Sequence, residues 1–184
     1  QSLTVKRRLN ASPERVFDAW LDPEMARKWL FTVPGGEIVV AETERKVGGT
    51  FTFVDKRANG EIRHVGEYLE IDRPRRLVFT FAVPQFSSAY DRVTIEIATL
   101  DAGCELTLTH EMPSDMFDEW GEASRQGWTT MLGALDAQLS RRVDEGNGII
   151  IAPDTVRIER VLSGPVERVW SYLTDSEKRR KWIA

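Results

Sequence analysis

The two histidines of the chain are its first candidates for acid–base chemistry near neutral pH. His110 lies in a segment where polar and apolar residues alternate, and it shares a face with Leu106, Leu108 and Met112. This alternation predicts a strand with His110 pointing inward, where it could hydrogen-bond a ligand or exchange a proton near neutral pH. The alternative is a histidine at a strand end whose partners are the backbone or water. His64 is predicted to be exposed beside Arg63.

A carboxylate near Gly66 is a second candidate acid or base. Glu67 and Tyr68 are adjacent, so one of them must face the interior if this segment is a strand. An inward Glu67 would need a partner, because burial of a bare carboxylate is costly. Arg92 is the candidate partner, and the alternative is that Tyr68 faces inward.

The other reactive groups show no pattern typical of catalysis or of metal binding. The two histidines and the single cysteine are far apart and lack ligand spacing, so we expect no metal site and no cofactor. Cys104 lies in a strand-like segment and is predicted to be a buried structural thiol. Gly48-Gly49 lacks the lysine and helix of a phosphate-binding loop. We assign no catalytic residue.

The elements that position these residues follow from caps and periodicity. Ser12 and Pro13 predict the start of a helix, and Asp22-Pro23 predicts its end and the start of a second short helix that ends near Trp29. A glycine inside a strand, Gly66, predicts a bulge or bend. Strands are predicted over 5–10, 37–44, 50–53, 61–72, 77–83, 93–97 and 106–112.

The last part of this region is predicted to be helical. A short helix is expected over 115–120, and a long helix then carries an apolar stripe of Trp128, Met131, Leu132, Leu135 and Leu139. The order is one strand, two short helices, about six to seven antiparallel strands in all and a long C-terminal helix. This order predicts an α+β fold in which a curved sheet packs against the last helix.

The start of the chain is repeated near its end. Residues 158–183 match residues 5–30 without a gap at 10 of 26 positions, which indicates a duplicated domain. We predict a complete domain over 1–143, a linker over 144–152 and the start of a second copy over 153–184. Because the second piece is too short to fold alone, we expect a full second domain beyond residue 184; the alternatives are exchange with another chain or packing on the first domain.

Composition narrows the class of protein. Hydrophobic residues make up 41% of the chain, enough for a core, and the formal net charge is −4. This charge argues against a nucleic-acid partner, which favours a basic surface. The sequence has neither an N-terminal apolar stretch typical of a signal peptide nor a run long enough for a membrane span. We therefore expect a cytoplasmic protein.

Several short segments, in order and at regular spacing, resemble one superfamily. The chain is similar to the SRPBCC (START-like, helix-grip) superfamily, and within it to the branch that includes the C-terminal domain of the 90-kDa heat-shock-protein ATPase activator. The segments that carry the resemblance are RLNASPERVF at 8–17, Trp29, GGTF at 48–51, GEYLEI at 66–71, PRRLVF at 74–79, VT at 93–94, LTLTH at 106–110 and GW at 127–128.

The resemblance implies a helix-grip fold with a cavity between the sheet and the C-terminal helix. Members of the superfamily carry lipids, sterols, hormones or polyketides, or catalyse cyclisation and hydroxylation. Trp29 and Phe31 are expected near the mouth of the cavity. The alternative is that the predicted lining residues simply fill the core. They are Trp29, Phe31, Phe51, Phe53, Tyr68, Phe79, Phe81, His110, Trp128, Met131 and Leu135.

Three functions follow from this resemblance. The favoured one is non-enzymatic binding of a small hydrophobic molecule in the cavity. The second is a protein-interaction module, through chaperone contact or self-association, which requires an exposed apolar or charged patch. The third is a cyclase- or hydrolase-type enzyme, which requires His110 or Glu67 to face inward.

Overall fold

Seven strands of alternating polar and apolar residues form one antiparallel sheet in the computed structural model, which describes residues 1–140, 149–152 and 155–158. The strand order is β1-β7-β6-β5-β4-β3-β2, so the first two strands lie at opposite edges of the sheet. The strands are β1 (Ser2–Leu9), β2 (Glu37–Thr43), β3 (Thr50–Arg57), β4 (Gly60–Asp72), β5 (Arg76–Phe81), β6 (Asp91–Thr99) and β7 (Cys104–Glu111).

Two short helices carry the chain from one sheet edge to the other. They are α1 (Pro13–Leu21) and α2 (Pro23–Ala26). Ser12 Oγ accepts a hydrogen bond from the Arg15 backbone N–H at 3.3 Å, and Asp22 Oδ1 accepts one from the Glu24 N–H at 3.1 Å. Both helices therefore begin where their capping residues predict. The α2 helix is shorter than predicted, because it ends at Ala26 rather than near Trp29.

One long helix, α3 (Ser114–Ser140), packs against the sheet. The prediction of two helices here was wrong, because Gly121 and Gly127 lie inside a continuous helix. A helical glycine costs about 1 kcal/mol relative to alanine, and burial of the apolar face offsets that cost. Asp136 on α3 also accepts a hydrogen bond from Arg7 of β1 at 2.8 Å. The buried members of this face are Trp128, Leu132, Leu135 and Leu139.

The sheet, α1 and α3 enclose the hydrophobic core. Trp20 of α1 packs edge-on against Trp29 at 4.7 Å between ring centroids and lies 6.3 Å from Trp128. Cys104 is fully buried in β7, as predicted, and burial raises the pKa of its thiol to about 11. The α+β architecture predicted from the order of elements and the helix-grip fold implied by the resemblance are both confirmed. Among the described residues, no helix is both long and apolar enough to cross a membrane.

Gly66 occupies a position in β4 that has no room for a side chain. A Cβ added there would lie 1.8 Å from the Thr80 carbonyl oxygen and 2.5 Å from the Phe51 ring. Just beyond it, the register between β4 and β5 shifts between Tyr68 and Glu70, as expected for a bulge. The close backbone approach explains why glycine is needed here.

We expect Gly66→Ala to lower the free energy of unfolding by about 1–3 kcal/mol, because the new methyl group must displace backbone. Gly127→Ala is a suitable control, since no atom lies within 4 Å of a Cβ at that helical position. It should raise stability by up to about 1 kcal/mol. Urea unfolding of both variants measures the difference, and equal stabilities would contradict the proposed crowding at Gly66.

The chain divides into two compact units, Gln1–Arg142 and Val143–Ala184. In the second unit the structure describes an antiparallel pair of short strands, β8 (Ile149–Ala152) and β9 (Thr155–Ile158). Most of the predicted second copy over 153–184 lies outside the described residues. The duplication therefore stays a prediction from the sequence.

Candidate functional site

A cavity of about 280 Å³, open to solvent on one side, lies at one end of the interface between the sheet and α3. Its wall combines the end of β3, the start of β4, the ends of β5 and β7, the middle of α3 and the loop that follows α2. Strand ends meet here, so side chains from four strands reach one space. The lining residues are Phe31, Thr32, Val33, Pro34, Arg57, His64, Phe81, His110, Ser124, Gln126, Gly127, Trp128, Thr130 and Met131.

Phe31 forms the inner wall of this cavity. Its φ of +59° is in the left-handed region, which is unusual for a bulky residue. Its ring stacks on His64 at 4.8 Å and on Phe81 at 5.2 Å, and its backbone N–H donates a hydrogen bond to Met131 Sδ at 3.0 Å. These contacts hold the strained backbone in place, as is common at binding sites.

His110 lies in a buried chain of hydrogen bonds. The Trp128 indole Nε1–H donates to His110 Nδ1 at 3.0 Å, and His110 Nε2 lies 3.0 Å from Asp91 Oδ2. Because an indole nitrogen can only donate, Nδ1 must be the acceptor, and Nε2–H therefore donates to Asp91. The inward orientation predicted for His110 is confirmed, since 1% of the residue is exposed. Both ring nitrogens are engaged within the protein, which fixes the ring in the wall.

His64 is buried in the same wall, so the prediction that it is exposed was wrong. It is 6% exposed, and its Nδ1 has no hydrogen-bond partner among the described residues. Burial, with the nearby positive charge of Arg57 as a second cause, lowers the pKa of His64 to about 4; the backbone of Phe53 acts weakly in the opposite direction. The side chain is therefore neutral at pH 7.

A buried ion pair lies beside His64. Asp55 is completely buried, and its Oδ2 accepts a hydrogen bond from Arg57 Nε at 2.6 Å. Thr32 Oγ1 lies 3.5 Å from Asp55 Oδ1. A Cβ on Gly36 would lie 2.5 Å from that same oxygen, so the absence of a side chain at Gly36 makes room for the carboxylate. Arg57 is the one residue of the pair that lines the cavity.

A family model described as "Activator of Hsp90 ATPase homolog 1-like protein" matches residues 10–140. The chain belongs to this family. The match covers strands β2 to β7, both short helices and α3, and it confirms the resemblance drawn from the sequence. No curated protein sequence matches the chain.

Solved structures of bacterial proteins share the fold of this family member. A crystal structure from Chromobacterium violaceum is 30% identical, with a TM-score of 0.67, and the match covers 75% of this chain and 96% of that one. A crystal structure from Nitrosomonas europaea is 23% identical, with a TM-score of 0.68, over 77% and 95% of the two chains. A solution structure of an AHSA1-like protein from Aeromonas hydrophila is 18% identical, with a TM-score of 0.64, over 75% and 94%.

The structure divides the predicted lining residues of this family member into three groups. Phe31, Phe81, His110, Trp128 and Met131 line the open cavity. The second group surrounds a void of about 10 Å³, together with Trp20 and two leucines, and consists of Phe51, Phe53, Tyr68 and Phe79. This void has room for at most one water molecule.

Trp29 and Leu135 make up the third group and are buried in the core. The expectation that Trp29 lies near the mouth was wrong, because its residue surface is fully buried and its Nε1–H donates to the Ala19 carbonyl at 3.2 Å. Helix α2 ends early and directs the tryptophan under α1. Phe31, two residues later, is the residue that reaches the cavity wall.

Glu67 does not contribute to the cavity. Its side chain is exposed, whereas Tyr68 faces the core, so the alternative stated for this pair is the correct one. Arg92, its candidate partner, instead approaches Glu111 with 3.7 Å between Nε and Oε2. The enzyme hypothesis therefore loses one of its two candidate groups.

The sequence interpretation missed Arg57 and His64, although the strand pattern contained a signal for both. In β3 the inward residues Phe51 and Phe53 are followed at the same spacing by Asp55 and Arg57. The predicted strand ended at residue 53 and left these two out. In β4, His64 shares its face with Tyr68, so alternation from an inward Tyr68 would have placed His64 inward too.

Proposed function

We propose that this domain binds a small, mostly apolar ligand in the cavity between α3 and the strand ends. The observation that supports the proposal is the cavity of about 280 Å³ with aromatic walls. Ligand pockets usually measure about 300–1,000 Å³ and combine apolar walls with a few polar groups. This cavity lies near the lower end of that range, which favours a compact ligand of one or two rings.

The wall provides flat apolar surfaces of fixed orientation. The rings of Phe31, Phe81 and Trp128 meet at centroid distances of 5.2–6.0 Å, and the bond from Trp128 to His110 fixes the indole plane. Aromatic walls of this kind favour a ligand with its own planar ring, because offset and edge-to-face ring contacts are favourable. Polar groups at the rim would set the orientation of the ligand.

Gly127 offers a direct test of this site. It lines the cavity, and no atom lies within 4 Å of a Cβ at that position. Gly127→Leu should therefore obstruct the cavity without disturbing the core. Ala137→Leu adds the same side chain to an exposed position of α3 that does not line the cavity, and serves as the matched control.

The experiment is a titration with 2-naphthamide and 2-naphthoate, monitored by tryptophan fluorescence and calorimetry. We expect saturable binding to the wild-type protein and to Ala137→Leu, and at least about tenfold weaker binding to Gly127→Leu. Native mass spectrometry of the purified protein, with a denatured control, should show any ligand that co-purifies. The proposal fails if neither naphthalene binds and no bound mass is found, or if Gly127→Leu binds as well as the control.

A second candidate function rests on an exposed apolar patch formed by Phe86 and Trp120. Phe86 is 62% exposed and Trp120 38%, and their rings lie 5.9 Å apart. Exposed apolar patches often mark protein contacts, and the family description names an activator of the Hsp90 ATPase. We propose contact between this patch and an Hsp90-type chaperone as the alternative function.

Purified Hsp90 provides the test of this alternative. The wild-type domain should raise its ATPase rate, and Phe86→Ser/Trp120→Ser should reduce that effect while leaving 2-naphthamide binding unchanged. An ATPase rate that is unaffected by the wild-type domain, or equally raised by the variant, would contradict it.

A further inference from the structure

We infer that the ligand is an amphipathic monocarboxylic acid whose carboxylate binds the terminal amino groups of Arg57 while its apolar body lies against Phe31, Phe81 and Trp128. This inference rests on the proposed function and deepens it by naming the class of ligand. It follows from the charge and the unused hydrogen-bond donors of the cavity wall.

Arg57 is the charged residue among those that line the cavity. A guanidinium group has five N–H donors, and the bond to Asp55 uses the one on Nε. Within the described part of the chain, the two terminal amino groups make no hydrogen bond. The side chain is 31% exposed, so these donors are available at the cavity wall. Paired N–H donors of this geometry match the two oxygens of a carboxylate.

The surroundings of Arg57 favour a single negative charge. Asp55 neutralises the formal charge of the pair, but it is completely buried and does not line the cavity, so a ligand meets the arginine rather than the aspartate. His110 accepts a hydrogen bond from the Trp128 indole, and burial lowers the pKa of His64 to about 4. Among the described residues the wall has no further lysine or arginine, so a doubly charged phosphate would be compensated less well there than a monoanion.

His64 supplies a second, independent observation. Its ring lines the cavity, the residue is more than nine-tenths buried, and its Nδ1 has no partner in the described residues. Buried polar atoms normally have a partner. The wall beside Arg57 therefore contains an unsatisfied polar atom, although that atom itself has almost no surface exposed to the cavity.

A matched pair of probes tests the inference. 2-Naphthoate and 2-naphthamide share a ring system and a carbonyl group but differ in charge. We expect the wild-type protein to bind the acid about tenfold more tightly than the amide, as calorimetry would show, because a charge-assisted hydrogen bond is stronger than a neutral one.

The variant Asp55→Asn/Arg57→Gln removes both charges together, which avoids leaving a buried aspartate unpaired. We expect it to bind the two probes with equal affinity while its affinity for the amide stays close to wild type. Arg63→Gln makes the same change at an exposed position of β4 and should keep the tenfold preference for the acid.

The outcomes separate the inference from the proposed function. Equal affinity of the wild-type protein for both probes contradicts the role of a carboxylate and leaves apolar binding intact. A preference for the acid that survives in Asp55→Asn/Arg57→Gln contradicts the role of Arg57. Binding of neither probe to the wild-type protein contradicts the proposed function itself.

Discussion

Replacement of Arg57 by leucine is expected to lower the free energy of unfolding by about 3 kcal/mol. Asp55 is fully buried and would lose the 2.6 Å hydrogen bond that compensates its charge. Removal of one member of a buried pair costs about 3–5 kcal/mol, and the lower end applies because Arg57 is 31% exposed. Urea unfolding at pH 7, followed by circular dichroism, measures the change.

Two controls make this result specific to the ion pair. Asp55→Asn/Arg57→Leu removes both charges and should recover most of the lost stability, because no uncompensated charge stays buried. Arg63→Leu changes an exposed arginine on the neighbouring strand and should alter stability by less than about 0.5 kcal/mol. If the double variant is no more stable than Arg57→Leu, loss of side-chain packing rather than an unpaired Asp55 causes the effect.

The Asp55–Arg57 pair links the stability of the domain to its candidate site. A buried pair seldom stabilises a fold more than apolar residues of the same shape, so stability alone gives little reason for it. Here the buried Asp55 fixes an arginine at the edge of a cavity whose wall is mostly apolar. The aspartate holds the guanidinium in one orientation, and a fixed donor costs less entropy when it binds a ligand.

Features that depend on short stretches of sequence could be predicted. Ser12-Pro13 and Asp22-Pro23 mark the starts of both short helices because caps act within a few residues. Strand alternation is also a pattern of neighbouring residues, and it correctly placed His110 on the inner face of the sheet. The continuity of helix α3 could not be predicted from short stretches of sequence. Its glycines disfavour a helix locally, and tertiary packing decides whether the helix continues.

The boundary between core and cavity depends on volumes that no local pattern reveals. Phe51 and Phe81 are both aromatic residues that strand alternation places on the inner face of the sheet. Phe51 nevertheless adjoins a void of about 10 Å³, whereas Phe81 lines the open cavity. The difference arises from Phe31, whose left-handed backbone directs its ring between them. A phenylalanine with positive φ is rare, so its position cannot be anticipated from the sequence.

Acidification should destabilise the domain by about 3 kcal/mol through His64. In the unfolded chain its pKa is 6.5, and in the folded domain burial lowers it to about 4. Between these values the unfolded chain binds a proton and the folded domain does not, so a falling pH favours unfolding. The contribution is fully present above pH 6.5, is lost progressively toward pH 4 and changes no further below it. Each pH unit in this window is worth about 1.4 kcal/mol.

His64→Phe isolates this effect, because phenylalanine keeps a planar ring against Phe31 and cannot titrate. Carboxylates also titrate in this range, so the quantity to measure is the difference in unfolding free energy between wild type and variant from pH 7 to pH 4. The difference should change by about 3 kcal/mol in favour of the variant as the pH falls. A difference that is constant over this range would show that His64 can be protonated in the folded domain. The wall beside Arg57 would then be more hydrated than the 6% exposure of His64 indicates. In a hydrated wall a carboxylate ligand would bind less tightly, because water competes for the N–H donors of Arg57.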